Sequence, residues 1–355
     1  MNLGVGDELA LLCETARKFA SEALRPRLRE AEAARGVAAG TRESFDAIGL
    51  AALELPEAAG GAGLGPIARV LVNEELAAAD AGAALALDVI GPALYAVLEL
   101  GGGEELALFR EALAAAGARA AYLDESEARV RVRDGRLDAQ LSWWPSDRVD
   151  VVAALVGDEL LLVRDGIETA PLPGAGLRAA GACALHLEGA PIAARAARPG
   201  GAARARARAR LYAASLLLGV LRDACDFSRG YALERHAFGR PIAHHQALAF
   251  LITDMQMALD GARLLVHEAA WRVENALPCA GPAAAAFAQC IEASRLVGPA
   301  GVQILGGHGF MADYPMEKAM REARALGLWL GGFDAAVEES GRALVEASGP
   351  ALELC

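Results

Sequence analysis

Three stretches of the chain carry residue types that could hold a phosphate-bearing ligand. The first, YALERHAFGRPIAHHQ (231–246), ends one long helical pattern and opens the next. In it Arg235 and Arg240 bracket Phe238-Gly239. A guanidinium at this place can pair with a diphosphate, and Gly239 supplies the tight turn. His245 and Gln246 can donate to a ligand edge. The second, QILGGHGF (303–310), sets Gly306, Gly307 and Gly309 behind a helix, where missing side chains let backbone approach a bulky ligand. It is not a Rossmann fingerprint, because no strand precedes it and no G-x-G-x-x-G is present. The third, ARARARAR (203–210), puts Arg204 and Arg208 on one helical face and Arg206 and Arg210 on another. Each stretch also has a plainer reading: Arg235 as a helix-end charge on the dipole, His245 as a surface histidine, the glycines as a turn, the arginines as a solvated patch.

The elements that must position these residues follow from periodicity and punctuation. Residues 6 to about 117 read as helical, with Leu9, Leu12, Ala16 and Phe19 at helical spacing. A Pro/Gly-rich turn, LELPEAAGGAGLG (53–65), interrupts them. From 118 to about 198 the composition turns to short β-type runs separated by Asp134-Gly135, Gly157-Asp158 and Asp165-Gly166, which predicts a small antiparallel β domain. ARPGG (197–201) marks the next boundary. Residues 202 to about 346 are helical again, with long segments at 205–235 and 243–275 and shorter ones at 283–298, 313–326 and 333–346. The expected organisation is an N-terminal helical domain (1–117), an abbreviated middle β domain (118–198) and a C-terminal helical bundle (199–355), an α+β fold that is mostly α.

Bulk properties narrow the class. A chain of 355 residues exceeds one ordinary core. Its apolar fraction is 54% but only 5% is aromatic, so Ala, Leu and Val build the core and favour helix; a GC-rich genome also raises alanine. A formal charge of -12 argues against general nucleic-acid binding. The six cysteines have no paired spacing, so neither a disulfide framework nor a metal ribbon is expected, and a reducing cytoplasm fits. Asp7 and Glu8 precede the first apolar run, which is unlike a secretory signal, and no apolar run is long enough to span a bilayer.

Taken together, the motifs resemble the acyl-CoA dehydrogenase family. Y-A-L-E-R-x-x-F-G, then His245-Gln246, then Q-I-L-G-G-x-G-F, then Tyr314-Pro315 and Met320-Arg321-Glu322-Ala323-Arg324 agree in order and spacing. The turn Leu55-Pro56-Glu57 with Gly60-Gly61-x-Gly63 and the helical–β–helical order extend the resemblance over essentially the whole chain. The resemblance implies FAD held between two subunits, with Arg235, Phe238, Gln246, Gln303, Gly306 and Gly307 contacting the FAD of a neighbour. Ala237 stands where a polar residue commonly precedes the phenylalanine, so one hydrogen bond is lost there. The resemblance also implies an acyl-CoA thioester as substrate, with Arg210 near its entrance, and an electron-transfer flavoprotein as acceptor. Under it, the arginine run becomes a candidate site for the CoA phosphates.

The same comparison exposes two breaks. The family's usual base is a glutamate in an aromatic–Glu–Gly–Thr motif after the R-D-A-R helix. Here the run is Trp329-Leu330-Gly331-Gly332, and Leu330 cannot accept a proton, although its backbone N–H could still polarise a thioester carbonyl. The alternative base position at the start of the long helix holds Ala207 to Arg210, with no carboxylate; Asp334 is a poor substitute, and a self-sufficient enzyme would need Asp334 or Asp313 to reach the substrate α-carbon. In the β domain, the flavin-clasping T-E-P, G-S-D and W-I-T segments are reduced to Tyr122–Ser126 and Ser142–Ser146. The losses fall on the half-site that does chemistry, and the retained residues, with Gly331 on the substrate side, serve the rest. This asymmetry points to a non-catalytic subunit of a heteromeric acyl-CoA dehydrogenase of the kind used in lipid or steroid breakdown, sharing FAD with a catalytic partner chain. A self-sufficient flavoenzyme with another base and a non-redox acyl-CoA or partner-binding protein are the competing readings.

Overall fold

The computed structural model describes residues 6–346. Six helices come first: α1 (Asp7–Phe19), α2 (Leu28–Ala34), α3 (Ala39–Ala47), α4 (Pro66–Leu87), α5 (Ala93–Leu100) and α6 (Gly103–Ala112). Seven strands follow: β1 (Ala120–Asp124), β2 (Arg129–Arg133), β3 (Arg136–Trp144), β4 (Val151–Val156), β5 (Glu159–Val163), β6 (Ile167–Pro171) and β7 (Cys183–Ala197). The last helices are α7 (Gly201–Glu234), α8 (Gln246–Glu274), α9 (Ala280–Leu305), α10 (Met316–Leu326) and α11 (Gly332–Glu346). The architecture is thus an N-terminal helical part, a middle sheet and a C-terminal helical part.

The sheet runs β1-β4-β5-β7-β3-β2, with β6 also on β7. It departs from the all-antiparallel expectation at one place: β1 and β4 pair in parallel, Ala120 beside Val151. The β2–β3 hairpin supplies the crossover between them, and both strands are apolar runs buried on both faces, the composition that parallel pairing favours. β7 is fifteen residues long and reaches both halves of the sheet, pairing with β3 and β6 through its first part and with β5 through its second.

α7 is the axis of the helical packing. Its middle, Leu211 to Leu221, is buried throughout. It meets α4 at Gly219, where an added Cβ would fall 2.5 Å from the Glu74 carbonyl oxygen. α4 breaks at Asp80 (φ -164°, ψ 106°). There the buried Lys318 of α10 donates to the Asp80 carboxylate at 2.9 Å and also pairs with Glu322, tying the N-terminal helices to the C-terminal ones.

Candidate functional site

The motif residues fall into an outer surface and an inner turn. On the outer surface, Arg235 caps the end of α7 and its Tyr231 carbonyl is reached by the Arg235 N–H. A two-residue ribbon, His236-Ala237 against Arg240-Pro241, then reverses the chain. At its tip Phe238 has φ +54° and is 95% exposed. A phenylalanine held in the left-handed region and in water has no packing reason to be there, and such strain is a marker of function. His245 stabilises the reversal: Nε2 lies 3.2 Å from the Ala237 carbonyl, and Arg240 lies 3.3 Å from Nδ1. His245 therefore holds the turn, and the ligand-facing candidates here are Arg235, Phe238 and Gln246, all exposed. Among the described residues the Arg235 side chain makes no ion pair or hydrogen bond.

At the end of α9, Gln303, Gly306 and Gly307 are also exposed, and Gly306 adopts φ +57°. A groove of about 550 Å³ runs between this turn and the end of α7, lined by Asp226, Phe227, Tyr231, Arg235, His308 and Tyr314 among others. It brings Arg235 to the same groove as His308 of the glycine turn, while Gln303, Gly306 and Gly307 are not among its lining residues. His308 stacks flat on Tyr314, with ring centres 4.8 Å apart, and is bonded to the Tyr231 hydroxyl at 2.8 Å. Sequence reasoning missed this aromatic floor. The signal was available, because Phe227, Tyr231 and the x of G-G-x-G are one turn apart or within the motif.

The inner turn is Trp329-Leu330-Gly331-Gly332, between α10 and α11. Leu330, Gly331 and Gly332 all have positive φ, at +54°, +81° and +63°. Leu330 is buried, so the turn keeps a backbone that strains an ordinary side chain while offering no proton acceptor from it. Trp329 is buried in an aromatic stack, edge-on to Trp144 at 5.3 Å and to Tyr212 at 6.2 Å, and its indole N–H finds no partner. Trp144 is therefore core. Trp143 faces a separate cavity of about 680 Å³ between the sheet and helices α9 and α10.

Glu127, in the turn after β1, lies against the same place. Its Cγ is 3.8 Å from where a Gly331 Cβ would stand. Burial and then the neighbouring Asp124 carboxylate push its carboxyl up to about 8, against the pull of the Gly331 N–H and of Arg210. Nothing in the family motifs marks this residue.

The arginine run is neither an open anion site nor a solvated patch. Arg204 and Arg208 both pair with Glu99, at 2.8 and 2.7 Å, and Arg208 also with Glu54 at 2.9 Å. Arg206, on the other face, pairs with Asp124 at 2.7 Å. Arg210, expected at a substrate entrance, is buried and paired with Glu339 of α11. Each guanidinium is paired with a carboxylate, those of Arg208 and Arg210 largely buried and those of Arg204 and Arg206 part-exposed, so none is a free cation.

Models of two domains match: "Acyl-CoA dehydrogenase, N-terminal domain" over residues 6–115 and "Acyl-CoA dehydrogenase, C-terminal domain" over residues 202–344. The chain belongs to the acyl-CoA dehydrogenase family. It is 35% identical over 122 residues to the short-chain specific acyl-CoA dehydrogenase of Clostridium acetobutylicum, covering 34% of this chain and 32% of that one. It is 37% identical over 122 residues to the human mitochondrial short-chain enzyme, covering 34% of this chain and 30% of that one. The matched segment thus spans only about a third of those relatives. Similarity to solved structures extends over the whole chain. Butyryl-CoA dehydrogenase from Megasphaera elsdenii superposes with a TM-score of 0.85 at 21% identity, over 97% of this chain and 100% of that one. A Tcur3481-Tcur3483 steroid ACAD superposes at 0.83 with 25% identity, over 96% of this chain and 98% of that one.

Members of this acyl-CoA dehydrogenase family use FAD, and the residues here fit it unevenly. The outer surface presents groups that suit a dinucleotide: an arginine unpaired among the described residues, an exposed aromatic ring and a glycine turn. The inner turn offers a leucine, a packed tryptophan stack and a carboxyl already lying on the backbone.

Proposed function

We propose that this chain is a non-catalytic subunit of a heteromeric acyl-CoA dehydrogenase, lending Arg235, Phe238, Gln246, Gln303, Gly306 and Gly307 to FAD bound mainly by a catalytic partner chain. The observation that carries this is the contrast between an outer surface left open and an inner turn whose base position is Leu330. Arg235 supplies charge to the diphosphate, the glycines allow close backbone approach, and Phe238 covers a ring edge. The partner supplies the carboxylate that removes the α-proton of the thioester. FAD, when bound, accepts the β-hydride. The likeness to a steroid ACAD supports a bulky, steroid-type or lipid acyl group, an electron-transfer flavoprotein is the expected acceptor, and the setting is cytoplasmic. Among the described residues no helix is long and apolar enough to cross a membrane.

The first measurement is the visible spectrum of the chain purified alone. A colourless chain that turns yellow only when co-expressed with an intact Glu-Gly-Thr partner supports the proposal. R235A should then lower the flavin content of the complex severalfold while leaving assembly intact. A yellow chain alone, bleached by an acyl-CoA, overturns it.

Glu127 favours a second reading. A carboxyl with its proton affinity raised to about 8, lying against the Leu330–Gly331 turn, is placed to act as a substitute base in a self-sufficient enzyme. Under that reading Arg210 and Gly331 remain on the substrate side, and E127Q abolishes bleaching. Acyl-CoA binding without flavin would instead mark a non-redox binding protein.

A further inference from the structure

β2 is an open edge strand with one strongly basic face. It pairs with β3 on one side, from Arg129 beside Gln140 to Arg133 beside Arg136, and with no described strand on the other. Its sequence alternates, RVRVR over 129–133. Val130 and Val132 are half-buried against the core, and Arg129, Arg131 and Arg133 are exposed. Among the described residues none of these three guanidiniums makes an ion pair or a side-chain hydrogen bond. Arg136, exposed at the head of β3, joins them and donates to the Gly189 carbonyl at 2.7 Å. The one carboxylate on β3, that of Asp138 opposite Arg131, accepts the Gly189 N–H at 2.7 Å instead. Four guanidiniums thus stand together on the outside of a chain whose formal charge is -12.

The backbone of the same strand is only half used. The Asp134-Gly135 turn has positive φ at both residues, +48° and +73°, as a tight two-residue hairpin loop requires. Arg133 and Arg136 close that loop as a bonded pair, and bonded and unbonded pairs alternate back along the strand. Arg131 and Arg129 therefore also bond to β3, while Val130 and Val132 turn their N–H and C=O groups to the open edge. An added strand would find two donors and two acceptors there, with arginines about 7 Å apart along one face. Charges on an edge ordinarily keep it from pairing with another of its kind. Here they repel a second β2, whose arginines would face them, and for the same reason they favour a strand of opposite sign. We infer that β2 is a docking edge for an extended acidic segment of a partner protein, with Asp or Glu at alternate positions, which adds to the sheet as a further strand. Main-chain bonds at Val130 and Val132 set its register, and its carboxylates pair with guanidiniums that have no competing acid. The edge shares no residue with the groups proposed to meet FAD, so it stands or falls separately from the proposed function.

The test is a fluorescein-labelled peptide of alternating valine and glutamate, titrated with the full-length chain and read by anisotropy, with an alternating valine and lysine peptide beside it. The acidic peptide should bind, more weakly as salt rises, and the basic one should not. R131E should weaken the acidic peptide about tenfold or more and let the basic one bind. V132P removes an N–H that faces the open edge and not the β3 ladder, a place where an edge strand tolerates proline. It should weaken the acidic peptide about tenfold or more, with circular dichroism and thermal midpoint unchanged. Amide exchange reads the same ladder without any substitution: the Val130 and Val132 amides should slow when the peptide binds. A wild type that ignores the acidic peptide overturns the inference. So does binding that leaves both amides unprotected or survives V132P, which would make the face a diffuse anion surface. Tighter binding to vesicles of acidic lipid than to the peptide would assign the face to a membrane and overturn it as well.

Discussion

Glu127 lies against Gly331, the residue after Leu330, and the two side chains have opposite chemistry. The leucine cannot titrate, and the half-buried glutamate, partly desolvated and next to Asp124, keeps its proton above the usual carboxylate range. The folded state binds that proton more tightly than the unfolded chain. Between pH 4.5 and about 8 the folded state therefore holds more protons, and stability falls as pH rises through that window. E127Q should remove the slope and leave the protein about 2 kcal/mol more stable than wild type at pH 8, less where solvent screens the site. Urea titrations at pH 5 and pH 8 check this, and a wild type equally stable at both would refute the burial of a protonated carboxyl. The break at Leu330 was legible in the sequence because motif spacing fixed the position. The approach of Glu127 was not, because it comes from a loop some 200 residues earlier and depends on tertiary packing.

At the scale of elements, periodicity carried the long helices. The patterns at 205–235 and 243–275 became α7 and α8 within a few residues of their expected ends. α9 is longer than its expected 283–298, because Pro299 lies inside a helix that runs on to Leu305. Proline usually signals an end, and packing overrode it here. The parallel β1–β4 pair was missed because apolar runs do not state their pairing direction. The arginine run illustrates the same limit: its two helical faces were legible, but the carboxylates of Glu54, Glu99 and Asp124 that neutralise them lie on other elements. The contact of α7 with α4 depends on Gly219. G219A would press a methyl group into the Glu74 backbone and the Ala77 side chain, costing about 1–3 kcal/mol by overpacking. A lower denaturation midpoint with an unchanged m-value is the expected result, and an unshifted midpoint would mean the helices can separate freely.

Across the whole molecule, the helical parts are joined by charge as well as by apolar contact. Lys318 is buried between Asp80 and Glu322, and burial raises the Glu322 carboxyl even with the ammonium beside it. K318A would leave two buried carboxylates without a cation. It should cost about 3–5 kcal/mol near neutral pH, and less at pH 5, where a proton replaces the lost charge. Equal losses at both pH values would mean that the lysine acts by volume alone. A second connection closes the middle of the molecule on itself. β1 is bonded to β4, β4 to β5 and β5 to β7, and β7 leads within four residues into α7, whose Arg206 returns to Asp124 at the end of β1. The sheet and helix thus form a closed circuit, and a circuit opens at its weakest join. Burial raises the Asp124 carboxyl, but Arg206 and the Ser126 bonds hold it below its ordinary value. That contribution is present above the ordinary carboxylate range and lost as pH falls through the depressed value. Acid should therefore undo this clasp before it unravels the sheet.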